Sequence, residues 1–145
     1  MNELSALLKD TTRPTVVAEL SQLVDSTVAG QSGLTGMAVK STVAAVKKAD
    51  ADAVRKGVDR FLPEIVRELT PYWEDYDPAA SAGFGNYLAS RQDDGTASLL
   101  SLGDRFADQG PAAIAKAYSG LRGKAGKIVG PALPELGDIV ERNAG

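Results

Sequence analysis

Apolar residues recur every three to four positions along most of this chain, which is the spacing of an amphipathic α-helix. The first such segment carries its apolar residues on one face: Val16, Val17, Leu20, Leu23, Val24 and Val28. Thr12 and Pro14 are residue types that favour a helix start, and Gly30 is typical of a helix end. The pattern therefore predicts a first helix from about Pro14 to Gly30.

A second helix is predicted from about Leu34 to Ala49, and it carries two apolar stripes. The first stripe is Leu34, Met37, Ala38 and Ala45, and the second is Val39, Val43 and Val46. Only a narrow polar edge remains, at Lys40, Ser41 and Lys47. Because a helix that is apolar on most sides is usually buried, we expect this helix at the centre of the fold.

A third helix is predicted to begin around Asp50 to Asp52, where carboxylates favour a helix N-terminus. One face carries Val54, Val58, Phe61, Leu62, Ile65 and Leu69. Pro63 interrupts this pattern, and a proline inside a helix removes one backbone donor and clashes with the preceding turn. We therefore expect a kink at Pro63, or a second helix that restarts there.

The rest of the chain continues the helical pattern. Further helices are predicted near Tyr87, from Thr96 to Ala107, after Pro111, and around Leu136 to Val140. No segment alternates apolar and polar residues with the turn chemistry of a β-sheet. The expected fold is all-α, a compact bundle of about six to eight helices forming a single domain over residues 1–145, and not a long coiled coil.

The chain contains no histidine and no cysteine. It therefore lacks the side chain that titrates nearest neutrality, the thiolate nucleophile and the usual transition-metal ligands. Two carboxylate pairs remain, Asp50 with Asp52 and Asp93 with Asp94, and we attribute them to a helix start and a turn. We therefore expect that the protein is not an enzyme and has no catalytic residue, no metal site and no cofactor.

The formal net charge of −3 comes from acids and bases spread along the chain. Nucleic-acid binding needs a basic face that neutralises phosphates, so we expect no nucleic-acid partner. The N-terminus lacks the basic and apolar regions of a signal peptide, and no apolar run approaches the length of a membrane span. A cytoplasmic location without a transmembrane segment is expected.

Residues 71–78, the aromatic-acidic segment, place three aromatic rings and three carboxylates between two prolines. In one interpretation Trp73 and one tyrosine fill the core beneath a solvated acidic cap, since buried aromatic rings dominate core packing. In the other the segment contacts a protein partner or a cationic ligand, since tryptophan and tyrosine are favoured at interfaces. The candidate partner-binding residues are Tyr72, Trp73, Glu74, Asp75 and Tyr76.

Residues 119–127 form a glycine-rich segment that fails the spacing of a phosphate-binding loop. Gly123, Gly126 and Gly130 are expected to permit close helix contact or a break in the helix. The basic residues of this region are candidates for binding an anionic ligand, a lipid head group or an acidic partner: Lys116, Arg122, Lys124 and Lys127.

Five stretches of this sequence carry a resemblance to a known family. They are Arg13-Pro14 before the first long helix, SGLTGMAVK at 32–40, PYW at 71–73, FGNYL at 84–88 and AYSGLRGKA at 117–125. Across the whole chain they resemble a family of small, uncharacterised all-α actinobacterial proteins of unknown function. The resemblance implies a compact helical cytoplasmic protein from actinobacteria and assigns no functional residue.

Two functions remain open at this point. The first is a non-enzymatic binding or protein-interaction domain with an unknown protein partner. The alternative is a helical carrier of a lipid or other apolar small molecule, which the valine- and alanine-rich helices suggest. A cavity large enough for an acyl chain would favour the carrier.

Overall fold

Seven α-helices and two short 3-10 turns make up the described part of the chain. The computed structural model describes residues 4–109 and 112–144, without the side chains of residues 35, 49, 112–114, 117 and 121. The helices are α1 (Arg13–Ala29), α2 (Gly33–Ala49), α3 (Ala53–Asp75), α4 (Phe84–Ser90), α5 (Gln92–Gln109), α6 (Ala112–Val129) and α7 (Leu133–Ala144). The 3-10 turns are Leu4–Leu8 and Gly130–Ala132.

These elements confirm the predicted all-α class, and no strand occurs within the residues described. The predicted bounds of the first two helices agree with α1 and α2 to within about a residue. Pro111, expected in the first turn of the sixth helix, lies outside the described residues. The single-domain organisation stays a prediction.

The longest helix, α3, continues through Pro63, so the expected restart there does not occur. A proline leaves the carbonyl four residues earlier without its helical donor, and here that carbonyl belongs to Asp59. The Arg13 guanidinium donates to the Asp59 carbonyl at 2.6 Å and to the Asp59 carboxylate at 2.7 Å. A side chain at the start of α1 thus satisfies the acceptor that the proline frees.

The hydrophobic core lies between the first 3-10 turn and helices α1, α3, α4 and α7. Its fully buried side chains include Leu7, Val16, Leu62, Leu69, Phe84, Leu88, Leu133 and Val140. The turn at Leu4–Leu8 contributes two of the core leucines, Leu4 and Leu7. Five residues are too few to show a helical period, and the sequence pattern did not predict this element.

A close helix crossing joins α4 to α7 and depends on two glycines. A Cβ atom added to Gly137 would lie 2.5 Å from Gly85 Cα and 2.6 Å from Gly85 N. Real Cβ atoms do not approach backbone atoms so closely, so the two backbones touch only because neither residue carries a side chain. The contact sets how near α4, with its buried Phe84 and Leu88, can approach α7.

The prediction that α2 lies at the centre of the fold is wrong. Val39 is buried and the other two valines of its stripe are half-buried, but Leu34 is 82 % exposed and Met37 is 67 % exposed. The core cluster contains no residue of α2. The physical reason is that α3, α4 and α7 supply the large side chains that fill the core, so α2 buries only one of its two stripes.

The glycine-rich segment does not break the sixth helix, because α6 continues through it to Val129. It does not permit close helix contact at Gly123 either, since a Cβ atom there would meet nothing within 4 Å. At Gly126 the nearest neighbour is a methyl group of Thr96, 3.6 Å from the added Cβ. The expected tight approach occurs only at Gly130, which is buried against Gln92.

Candidate functional site

An apolar groove of about 400 Å³ lies between α3 and α5 and extends to α1 and α2. All of its lining residues are apolar or glycine: Val24, Val46, Ala53, Val54, Gly57, Val58, Phe61, Ile65, Leu99, Leu102, Gly103 and Phe106. The groove is open to solvent along one side. A surface recess lined only by such residues is unusual, because exposed apolar area is normally kept small.

Two aromatic rings hold the groove together where α3 meets α5. The rings of Phe61 and Phe106 meet edge to face, with their centroids 4.7 Å apart and their planes at 76°. Phe61 and Leu102 are buried, whereas Phe106 is half-buried. Edge-to-face pairs contribute beyond the area that they bury, so this contact fixes the distance between the two helices that form the groove.

Ion pairs connect the helices beside the groove but do not enter it. Lys47, the residue after Val46, pairs with Asp25 of α1 at 2.7 Å. Arg105, the residue before Phe106, contacts Glu68 of α3 at 2.7 Å and Glu64 at 3.6 Å. The lining itself carries no charged side chain, so the groove suits an uncharged apolar group.

A polar cluster links α6 to the outer side of α5, next to the groove residue Gly103. The Tyr118 hydroxyl lies 2.8 Å from Asp104 Oδ1 and 3.2 Å from the Leu100 carbonyl oxygen. Burial, together with the Asp104 carboxylate, raises the pKa of Tyr118 to about 12. Arg122 and then Tyr118 lower the pKa of Asp104, because both donate hydrogen bonds to its charged form.

The raised pKa of Tyr118 predicts a loss of stability at high pH. Between its ordinary value of 10.0 and about 12, this tyrosine is protonated in the folded state and ionised in the unfolded chain. The free energy of unfolding should therefore fall as pH rises through this interval. Urea denaturation should show a steeper fall for the native protein than for Tyr118→Phe, and parallel curves would contradict the assignment.

The predicted anion-binding residues do not all point to one surface. Lys116, Lys124 and Lys127 are exposed along α6. Arg122 instead turns to α5, where its Nε lies 2.9 Å from Asp104 Oδ1. Three of the four candidates thus remain available to an anion, and their role stays a prediction.

The aromatic-acidic segment forms the last turn of α3 and the residues that follow. Trp73 is half-buried against the core and Tyr76 is buried, with their ring centroids 5.8 Å apart. Glu74 and Asp75 are exposed. The placement matches the interpretation in which Trp73 and one tyrosine fill the core beneath an acidic cap.

A carboxylate of α7 holds this segment to α4. The Tyr76 hydroxyl donates to Glu141 Oε2 at 2.8 Å, and the Phe84 backbone N–H donates to Glu141 Oε1 at 3.3 Å. Burial, together with Glu141, raises the pKa of Tyr76. Tyr76 therefore contributes to the structure of the domain, and its predicted role as a partner contact is untested.

Tyr72 takes a different direction from Trp73 and Tyr76. Its hydroxyl lies 2.9 Å from Ser98 Oγ of α5, and with Asp75 it lines a shallow polar cleft. Glu68, Arg91 and Asp94 complete the wall of this cleft. Of the predicted partner-binding residues, Tyr72, Glu74 and Asp75 are the ones with polar groups at the surface.

The carboxylate pairs of the sequence lie at helix ends. Asp93 and Asp94 occupy the first turn of α5, and not the expected turn. Asp50 follows α2, where contact with Lys56 at 2.8 Å lowers its pKa. Over residues 4–109 and 112–144, no three or more acidic side chains gather as metal ligands would.

No described helix combines the length and apolar character needed to cross a bilayer.

Sequence reasoning identified the apolar faces of α3 and α5 but not the groove between them. The helical period places Val58 and Phe61 on a helix face that a core would cover. Periodicity shows which face is apolar and cannot show whether a neighbour covers it. No sequence signal distinguishes a groove-lining valine from a core valine.

Comparison with known proteins gives one match. No curated protein and no solved structure matches the chain. The model of the family of unknown function DUF6918 matches residues 4–144. This range includes all seven helices and both 3-10 turns, so the match extends over the entire described fold. The actinobacterial source implied by the resemblance stays a prediction. The chain belongs to the family of unknown function DUF6918.

Proposed function

We propose that this protein is a non-enzymatic binding protein that holds an apolar small molecule or a single hydrocarbon chain in the groove between α3 and α5. The observation that carries the proposal is the groove itself, about 400 Å³ in volume and lined only by apolar residues and glycine. Small-molecule sites typically measure about 300–1,000 Å³ and are lined mainly by apolar side chains.

The character of the lining supports an apolar ligand over a polar one. Placing a hydrocarbon in the groove removes apolar surface of both partners from water, which contributes roughly 25 cal/mol per Å². A charged group in the same place would lose its hydration without gaining a partner. Any head group of the ligand would therefore remain at the open side.

The absence of proton-transfer groups from the lining supports a non-enzymatic role. General acid–base catalysis needs a titratable side chain within hydrogen-bond distance of the reacting atom. None of the lining residues titrates, and the sequence contains no histidine or cysteine. A cytoplasmic location is part of this proposal.

The proposal predicts binding of a neutral apolar probe. N-phenyl-1-naphthylamine should increase in fluorescence with the purified protein, and long-chain fatty alcohols should displace it. Val54→Phe adds a ring inside the groove and should weaken probe binding by at least about tenfold, since a packed apolar site has little room for extra volume. Denaturation curves should establish that Val54→Phe and the control variant Val28→Phe are folded.

Val28→Phe is the matched control, because Val28 is also half-buried but does not line the groove. Its probe affinity should stay within about twofold of the native value. Equal probe binding by the native protein and Val54→Phe would refute the groove as the ligand site.

A protein-interaction role is the second candidate, and the exposure of Glu74 and Asp75 beside the half-buried Tyr72 favours it. Tyr72 lies beside Glu68 and Asp75 in the polar cleft, which suits a basic segment of a partner. If this role is correct, Tyr72→Ala with Asp75→Asn should abolish capture of a specific partner while leaving binding of N-phenyl-1-naphthylamine unchanged.

A further inference from the structure

The outer face of α2 carries an apolar stripe that none of the described side chains of other helices covers. Leu34 and Met37 are the large hydrophobic residues that stand exposed, and Ala38 and Ala45 of the same stripe are exposed as well. The valine stripe on the opposite side turns inward, with Val39 buried. Helix α2 therefore has an apolar side toward the protein and a second one toward solvent.

The charges of α2 and of the helix packed against it, α6, are all positive. The two helices contain seven basic residues and no aspartate or glutamate: Lys40, Lys47, Lys48, Lys116, Arg122, Lys124 and Lys127. The whole chain has a formal net charge of −3. The positive charge of this helix pair is therefore a local feature, opposite in sign to the protein as a whole.

Most of these cations are available to an external anion. Lys47 pairs with Asp25 and Arg122 pairs with Asp104. The other five are exposed, and none of them forms an ion pair with a carboxylate among the described residues: Lys40, Lys48, Lys116, Lys124 and Lys127. On α6 the positions of Gly120 and Gly123, between Lys116 and Lys124, carry no side chain and face open space.

We propose that the surface formed by α2 and α6 docks on a membrane that contains anionic lipids. Leu34 and Met37 enter the boundary between head groups and acyl chains, and the exposed lysines contact the anionic head groups. Basic amphipathic helices bind membrane surfaces in this way, by combining buried apolar area with electrostatic attraction. The long lysine side chains can lie along apolar surface while their ammonium groups stay in water.

The composition of the surface favours lipid over an acidic protein as the partner. Protein interfaces are enriched in aromatic residues and arginine and are depleted in lysine. The available cations here are all lysines, and the aromatic ring of α6, Tyr118, turns to α5. The arginine, Arg122, is held by Asp104. What α2 and α6 present to a partner is therefore aliphatic side chains and lysine.

The membrane proposal does not depend on the proposed function. The groove-filled variant Val54→Phe should bind vesicles as the native protein does. A failure of one proposal thus leaves the other standing.

The test is sedimentation of the purified protein with vesicles of phosphatidylcholine alone and of phosphatidylcholine with about 30 % phosphatidylglycerol. We expect at least about tenfold stronger binding to the anionic vesicles at low salt, and loss of most of this binding at about 0.5 M NaCl, where surface charges are screened. Equal binding to both vesicle types, or no binding, would overturn the proposal.

Two double variants distinguish the contribution of the lysine charges to vesicle binding from the contribution of the inserted apolar side chains. Lys124→Glu with Lys127→Glu should weaken binding to anionic vesicles by at least about tenfold. Leu34→Asn with Met37→Asn should weaken it as well, because the inserted apolar area is lost. If the second variant bound as the native protein does, the surface would bind by charge alone, and the proposed insertion of Leu34 and Met37 would be wrong.

The control for the charge reversal is Lys9→Glu with Arg67→Glu, which changes the net charge equally at exposed positions on other elements. At about 0.1 M salt this variant should bind anionic vesicles within about twofold of the native protein, since screening there confines the effect of exposed charges to roughly 10 Å. A loss as large as that of the α6 variant would show that net charge, and not the α2–α6 surface, controls binding. Circular dichroism should show native helix content for every variant.

Discussion

Gly137→Ala should destabilise the protein by at least about 3 kcal/mol, the upper part of the range for overpacked sites. The added Cβ would lie 2.5 Å from Gly85 Cα. Gly85 Cα belongs to the helix backbone, and the position of the Cβ is fixed by the backbone of α7, so neither atom can rotate away. The two helices must therefore separate. Because α4 carries Phe84 and Leu88 into the core, separation would also loosen the packing around them.

The matched control is Gly123→Ala on α6, where a Cβ atom meets nothing within 4 Å. Alanine is a better helix former than glycine by about 1 kcal/mol, so this variant should be as stable as the native protein or more so. Urea denaturation followed by circular dichroism measures both changes. Similar stabilities for the two variants would show that α4 and α7 do not touch at Gly85 and Gly137.

Phe84→Ala should destabilise the protein by about 3–5 kcal/mol, the cost typical of removing a buried aromatic ring. The Phe84 side chain is 0 % exposed. Its ring meets those of Trp73, Tyr76 and Tyr87, with centroid distances of 4.9, 5.4 and 6.1 Å. No neighbouring side chain is free to fill the space, since three of its neighbours are rigid rings.

The same denaturation experiment compares the stability lost at Trp73 with that lost at Phe84. Trp73→Ala should cost less than Phe84→Ala, because the indole is only half-buried. Leu34→Ala on the outer face of α2 should change stability by less than about 0.5 kcal/mol. Chemical denaturation gives all three values. A larger loss for Trp73→Ala than for Phe84→Ala would mean that the indole, and not Phe84, is the centre of this aromatic cluster.

Several properties of this protein follow from local sequence. The bounds of α1 and α2 were predictable because the helical period of the apolar residues and a proline or glycine at a helix end are local signals. That Trp73 and one tyrosine could fill the core was one of two interpretations of the aromatic-acidic segment, and the sequence did not decide between them. The absence of histidine and cysteine is a property of the sequence alone.

The tertiary structure decided what periodicity leaves open. Both stripes of α2 are apolar, and only the packing of this helix against α1, α3 and α6 determines that Val39 faces the protein while Leu34 faces water. Where α3 continues through Pro63, the carbonyl that the proline leaves free is bound by Arg13, fifty residues away in sequence.

The groove is the clearest case of a feature that only the fold determines. Val58 and Leu102 belong to separate apolar faces that the sequence shows equally well in a filled core. Whether two such faces close on each other or leave a groove depends on the distance between their helices. That distance is set by contacts between residues far apart in the chain, such as Phe61 with Phe106 and Arg105 with Glu68, and a local pattern contains no information about them.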